Sequence, residues 1–126
     1  MGKRYLIDTN TVIDYLDNKL NNKAEELIET IEAQLSVVSR IELLVWSKAS
    51  TQQLAILNSF IEASIVYNLE ESIILKTIEI RKEHRLKLPD AIIAATALVY
   101  DLTLITRNTA DFKIIPNLKI IDPHSF

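Results

Sequence analysis

Short apolar segments alternate with longer stretches of helical periodicity along this chain, and the alternation constrains the fold more than any other feature. Segments typical of buried strands lie at residues 4–7, 35–38, 64–67, 103–105 and 119–121. Helices are predicted between them, over about 9–16, 21–33, 39–48, 51–61, 68–84 and 89–100, with a further helical turn opening at 108. Strands that alternate with helices predict an α/β fold, with a central parallel sheet of four to five strands flanked by helices.

The composition excludes several classes of protein. A length of 126 residues fits one domain spanning residues 1–126. The chain has no cysteine, which excludes thiolate catalysis, zinc–sulfur sites and disulfides, and Gly2 is its one glycine, which excludes glycine-rich phosphate loops. Neither a run of 18 apolar residues nor an apolar leader before Asp8 is present, so we expect a cytoplasmic protein that makes no contact with a membrane.

Carboxylates are nearly the only groups left for hydrolytic chemistry. His84 and His124 are far apart in the sequence and lack the spacing of metal ligands. Oxygen ligands favour Mg²⁺ or Mn²⁺ over zinc or copper. The net charge of −3 argues at first against a nucleic-acid partner, but four acids gathered at a metal leave 13 acidic side chains against 14 basic ones elsewhere. The net charge therefore neither supports nor excludes a nucleic-acid partner.

Four acids occupy positions where parallel α/β folds place their functional groups. Asp8 directly follows the first strand, and Glu42 is expected in the first turn of the helix after the second strand. Asp90 lies in the first turn of the helix that begins at Pro89, and Asp111 lies in the turn after the fourth strand. Ligands bind outside the carboxyl ends of the strands in such sheets, so these side chains are candidates for one shared pocket.

Each acid also has a purely structural interpretation. Residues 39–42 have the pattern of a capping box, in which Glu42 bonds back to the Ser39 amide, and residues 108–111 have the same pattern. An acid such as Asp90 in the first turn of a helix is favoured by the helix dipole in any case. Asp8 is the exception, because it follows a buried strand without an obvious basic neighbour.

The motifs taken together decide between these interpretations. The stretches 6–10 (Leu-Ile-Asp-Thr-Asn), 39–43, 88–91 (Leu-Pro-Asp-Ala) and 106–112 (Thr-Arg-Asn-Thr-Ala-Asp-Phe) occur in that order. In this order they closely resemble the PIN-domain family, especially the VapC-type toxins of prokaryotic toxin–antitoxin pairs, over essentially the whole chain. The resemblance implies a three-layer PIN-like fold and a metal-dependent endoribonuclease with Asp8, Glu42, Asp90 and Asp111 as its catalytic acids. It also implies a homodimer, a cognate antitoxin that covers the acidic site, and transfer or ribosomal RNA as the target.

Roles within the site follow from the chemistry of a divalent metal. Because Mg²⁺ usually takes only one or two direct carboxylates, our hypothesis gives the metal to Asp8 and Asp90, while Glu42 and Asp111 orient water or hold a second, weaker ion. Asn108 is an alternative to Asp111 as the fourth residue. The side chains expected to fix these carboxylates by hydrogen bonds are Thr9, Asn10, Ser39, Thr106 and Asn108, for each of which helix capping is the alternative role.

Basic residues beside the site are candidates for phosphate contacts. Arg85 and Lys87 belong to a cluster just before Asp90, where a solvated helix end is the competing interpretation. Arg107 is the better single candidate for a phosphate contact, although it is equally able to pair with an acid.

Other functions fit the residues less well. An aspartyl phosphatase needs a second aspartate two residues after Asp8, where Asn10 stands, and a receiver-like phosphorylation module needs a pair of adjacent acids before the first helix. A non-catalytic module that acts through protein interaction and a nuclease directed at DNA both stay open as alternatives.

Overall fold

Helices and very short strands alternate from end to end in the computed structural model, which describes residues 3–46 and 49–125. The strands are β1 (Tyr5–Ile7), β2 (Gln34–Ser36), β3 (Ile65–Tyr67), β4 (Thr103–Ile105) and β5 (Ile120–Ile121). The helices are α1 (Thr9–Leu16), α2 (Asn22–Thr30), α3 (Val37–Leu44), α4 (Thr51–Ala63), α5 (Glu71–Glu83), α6 (Leu88–Val99) and α7 (Thr109–Phe112), followed by a 3₁₀ turn at Pro123–Ser125. The predicted α/β class is therefore confirmed.

The strand pairings are all parallel, as predicted, but they form two hydrogen-bonded groups. One sheet has the order β1-β4-β5, with Leu6 opposite Leu104 and Ile7 opposite Ile105. The second pairs β2 with β3, and β2 lies beside β1. The five expected strands are thus present, and the continuous sheet of four to five strands is replaced by neighbouring sheets of three and two.

Two apolar layers enclose the sheets, which gives the three layers that the resemblance implies. Side chains alternate between the faces of a strand. Leu6 and Leu104 accordingly pack into one buried cluster with α5 and α6, whereas Ile7 and Ile105 pack into the other with α1, α2, α3 and α4. The ends of β1 and β4 are therefore packed between both layers.

The boundary between β2 and α3 differs from the prediction. The Ser36 side chain accepts from the Val38 amide and caps α3, so that Val37 and Val38 begin the helix instead of ending the strand. The β-branched valines made this segment look like a strand, but a cap bond and tertiary packing outweigh a propensity of a few tenths of a kcal/mol. As a consequence Ser39 is not a cap, and Glu42 lies beyond the first turn of α3.

Other helix starts also shift by one to three residues. Asp8, rather than Thr9 or Asn10, caps α1, and Ser50 caps α4 through a capping box with Gln53. Helix α5 begins at Glu71 rather than Asn68. The predicted end of the third helix at Lys48 lies outside the described residues. Among the helices that the structure describes, none is long and apolar enough to cross a membrane.

Candidate active site

Asp8 lies where β1 ends and α1 begins, and its carboxylate is fixed on both oxygens. Its amide donates to the Ile105 carbonyl at 3.0 Å, which continues the pairing of β1 with β4. The Thr9 amide donates to Oδ1 at 2.8 Å, and Oδ2 accepts from the Thr106 hydroxyl at 2.7 Å and from Asn10 Nδ2 at 3.2 Å. Asp8 is only 4% exposed, so these bonds replace the water that a buried carboxylate loses.

The environment of Asp8 works against its negative charge. Together its surroundings raise the pKa of Asp8 from 3.8 to about 6. Burial is the largest cause, the bonds from Thr106 and Thr9 lower the pKa, and the charges of Asp90 and Glu42 raise it. Three of the four predicted acids are therefore close enough to influence one another.

Glu42 reaches the site through a contact that no local pattern indicated. The Thr9 hydroxyl donates to Glu42 Oε1 at 2.6 Å and lies 3.0 Å from the Ser39 hydroxyl, which is itself buried. The capping-box interpretation of residues 39–42 is wrong, because Ser39 and Glu42 both lie within α3 and face the start of α1. Thr9 thus connects Asp8 and Glu42, since its amide binds the first and its hydroxyl the second.

Asp90 and Asp111 complete the group from the other side. Asp90 lies in the first turn of α6, half-buried, and its pKa is raised by burial first and then by the charges of Glu42 and Asp111, while Lys87 lowers it. Asp111 is exposed, and its Oδ2 accepts from Asn108 Nδ2 at 3.1 Å. Asn108 makes no side-chain cap bond to α7, so its side chain serves Asp111 and not the helix start.

The oxygen donors at this edge suit a hard divalent cation. Repulsion between carboxylates that raises their pKa values is relieved when a cation binds. Within residues 3–46 and 49–125 no three acidic or histidine side chains are already close enough together to hold a metal ion. Mg²⁺ usually takes one or two direct carboxylates and completes its shell with water, so the chemistry of these donors is compatible with such an ion without a full protein cage.

Arg107 does not occupy the position expected for a phosphate contact. Its Nη1 donates to both oxygens of Asp14, at 2.8 and 3.1 Å, and His124 Nε2 lies 2.7 Å from Asp14 Oδ2. Asp14 is 1% exposed and was missed at the sequence level. The available signal was its position on the buried face of α1, one turn beyond Asn10, where an acid needs a partner.

A comparison with protein-family models matches residues 5–118 to the PIN domain. The chain belongs to the PIN domain family. A comparison with curated proteins finds no match. Among solved structures, a toxin–antitoxin complex from Klebsiella pneumoniae is 32% identical with a TM-score of 0.76, and the alignment covers 94% of this chain and 97% of that chain.

Two further solved structures share the PIN fold. The DNA-bound VapBC of Salmonella typhimurium is 25% identical, with a TM-score of 0.81 and coverage of 96% of this chain and 98% of that chain. VapBC2 of Rickettsia felis, bound to a DNA fragment from its promoter, is 24% identical, with a TM-score of 0.77 and coverage of 93% and 96%. The resemblance to VapC-type PIN toxins is confirmed, and PIN domains of this type are generally nucleases.

Two of the basic residues predicted to contact phosphate in this PIN domain, Arg85 and Lys87, precede the helix that carries Asp90. Arg85 and Lys87 are exposed, and with Arg81 and His84 they line an open groove that leads to the start of α6. Lys87 is close enough to Asp90 to influence its charge. In the described part of the chain, neither Arg85 nor Lys87 forms a salt bridge.

Proposed function

We propose that this PIN domain is a Mg²⁺- or Mn²⁺-dependent endoribonuclease and acts in the cytoplasm as the toxin of a type II toxin–antitoxin pair, blocking translation by cutting transfer or ribosomal RNA. The observation that carries the proposal is the convergence of four carboxylates from different elements: Thr9 bonds both Asp8 and Glu42, the charges of Asp90 and Glu42 act on Asp8, and those of Glu42 and Asp111 act on Asp90. A fold gains nothing from gathering like charges, and such clusters mark functional sites.

In the proposed reaction, Asp8 and Asp90 hold the metal, and Glu42 and Asp111 orient water. When bound, Mg²⁺ or Mn²⁺ lowers the pKa of water and offsets the charge that develops on the phosphoryl oxygens. Asp8 is presented in one orientation by Thr9 and Thr106, and Glu42 is held by the Thr9 hydroxyl. These fixed carboxylates lower the reorganisation needed when phosphate enters.

The groove beside α6 supports a nucleic-acid substrate. Arg81, Arg85 and Lys87 line it, and Lys87 is the residue before α6, two positions before Pro89. Cations that are not engaged with acids remain free to neutralise backbone phosphates. The RNA backbone would therefore approach Asp90 along this groove. The positive charges of the groove would offset the repulsion between the acids and the phosphates.

An antitoxin partner is supported by the related structures and by one apolar surface. The relatives from Klebsiella and Salmonella were solved as toxin–antitoxin assemblies. On α3 and the residue after it, Ile41 and Val45 are 58% and 72% exposed, and Leu44 is also exposed, whereas Leu43 is in the core. This surface adjoins Glu42 in the sequence, so a peptide bound to it would lie next to one of the four acids. A homodimer remains part of the proposal.

The deciding experiment incubates the purified protein with total RNA and, separately, with single-stranded DNA, in Mn²⁺, Mg²⁺ or EDTA. Mapped cuts in RNA that require the metal and disappear in Asp8→Ala support the proposal. Metal-dependent cuts confined to DNA would instead favour a DNA-directed enzyme. Protein that binds its partner but cuts neither nucleic acid would favour a non-catalytic interaction module.

A further inference from the structure

Asp14 is a buried acid that plays no part in the chemistry proposed above. It lies in α1, is 1% exposed, and contacts the side chains of Arg107 and His124, which come from distant parts of the chain. Arg107 lies two residues after the end of β4, and His124 belongs to the 3₁₀ turn after β5. Burying an ion pair costs desolvation free energy that the pairing often does not recover. We therefore expect Asp14 to have a role other than stabilising the fold.

The contacts around Asp14 lead directly to the candidate site. The Arg107 amide donates to Asn10 Oδ1 at 3.3 Å, and the same Asn10 side chain donates to Asp8 and, at 3.4 Å, to Thr106. The Thr106 hydroxyl donates to Asp8 and accepts from the Asn108 amide at 3.0 Å. Residues 106–108 therefore contact Asp8 on one side and Asp111, through Asn108, on the other.

The segment 106–108 is anchored at its first residue, because Thr106 is fully buried and its amide donates to the Ile121 carbonyl at 3.0 Å. Arg107 and Asn108 lie beyond the strand pairs, between β4 and α7, and depend on the hydrogen bonds named above. The contact of Arg107 Nη1 with both oxygens of Asp14 is the one salt bridge of this segment in the described part of the chain. Hydrogen bonds between charged groups are shorter and stronger than neutral ones, so this contact restrains the Arg107 side chain.

We propose that Asp14 is a positioning residue: by holding Arg107, with His124 as a second support, it fixes the 106–108 segment so that Thr106 orients Asp8 and Asn108 orients Asp111. This inference rests on the proposed function and assigns Arg107 to support rather than to phosphate binding. Supporting contacts of this kind change metal affinity or activity by about 10- to 100-fold when they are removed.

The test compares Asp14→Asn, Arg107→Ala and Arg107→Lys with Asp101→Asn and Lys119→Ala. The two control variants break an ion pair between residues before β4 and β5, at the other end of the same sheet. We expect Asp14→Asn and Arg107→Ala to lower kcat by about 10-fold and to weaken Mn²⁺ binding, with KM nearly unchanged. The Arg107 and Asn108 amides should exchange hydrogen faster in these two variants than in the wild type, and Arg107→Lys should restore part of the lost activity.

Different results overturn the inference. A raised KM and a reduced salt dependence of RNA binding in Arg107→Ala, with kcat unchanged, identify a phosphate contact. Lower thermal stability with normal kcat, normal Mn²⁺ affinity and unchanged exchange at 107–108 identifies a structural ion pair only. If Asp14→Asn does not fold, Arg107→Ala decides, because its side chain is 52% exposed. If the wild type cuts no RNA, the proposed function fails, whereas the exchange rates still decide whether Asp14 fixes the segment.

Discussion

The Thr9 hydroxyl donates to Glu42 Oε1 at 2.6 Å and so joins the first turn of α1 to α3 across 33 positions of sequence. The Thr9 amide meanwhile donates to Asp8. One residue therefore sets the relative position of two carboxylates that repel each other. Such a hydrogen bond to a charged group is stronger than one between neutral groups.

Replacing Thr9 by valine should separate these two contacts. Thr9→Val keeps the shape and the amide bond to Asp8 but removes the hydroxyl, so we expect about 10-fold slower RNA cleavage and a loss of about 1–2 kcal/mol in unfolding free energy. Thr9→Ser, the matched control, should recover most of both. The comparison is made by measuring cleavage kinetics and urea unfolding of the two variants. Equal cleavage activity of Thr9→Val and Thr9→Ser would show that Glu42 does not need the hydrogen bond from the residue 9 hydroxyl.

Asp90→Asn should abolish cleavage without destabilising the metal-free protein. The pKa of Asp90 is raised by burial and by the charges of Glu42 and Asp111, so loss of its negative charge removes an unfavourable interaction. We expect the melting temperature without metal to be unchanged or higher, measured by differential scanning fluorimetry. Asp101→Asn, at an exposed aspartate, is the control. A large drop in melting temperature would mean that Asp90 is a structural helix cap.

The metal-free protein should lose stability as pH rises from about 4 to above 6. The pKa of Asp8 is 3.8 when unfolded and about 6 when folded, so the folded state favours the protonated carboxyl. That stabilisation is complete below the lower value and is lost as pH rises through the upper one. It amounts to about 3 kcal/mol for Asp8, since each pKa unit corresponds to about 1.4 kcal/mol.

Mn²⁺ should reverse this trend, because the cation binds the ionised carboxylates of the folded state and stabilises it by mass action. Melting curves at several pH values, with Mn²⁺ and with EDTA, provide the measurement. Parallel curves under both conditions would contradict a metal site at Asp8.

The basic groove should control the salt dependence of RNA binding. The double variant Arg85→Glu/Lys87→Glu removes two cations from the groove, so we expect weaker binding and a shallower decrease of affinity with salt, by about 0.7 in the log–log slope per lost phosphate contact. Lys23→Glu, at an exposed lysine of α2, is the control variant. Binding should be measured in Ca²⁺ or with an inactive Asp90→Asn background, and an unchanged slope would remove the groove from the model of substrate binding.

Local features of the sequence predicted most of the fold. The apolar segments before Asp8 and around Leu104 became β1 and β4, and Pro89 lies at the start of α6 as expected. These elements depend on periodicity and on nearby caps, which are properties of a few adjacent residues. Where two capping residues lie close together, as Ser36 and Ser39 do, the local pattern does not choose between them.

The sequence by itself determined the α/β alternation, the family motifs and the placement of acids after strands or at helix starts. The tertiary structure alone decided that Thr9 binds Glu42 and that the strands divide into two sheets. It also decided that Arg107 pairs with Asp14, although the sequence favoured Arg107 as a phosphate contact. These two side-chain contacts join residues that lie 33 and 93 positions apart in the sequence. Such pairs form only when packing brings two elements together and removes water from their polar groups, and no short stretch of sequence records that event.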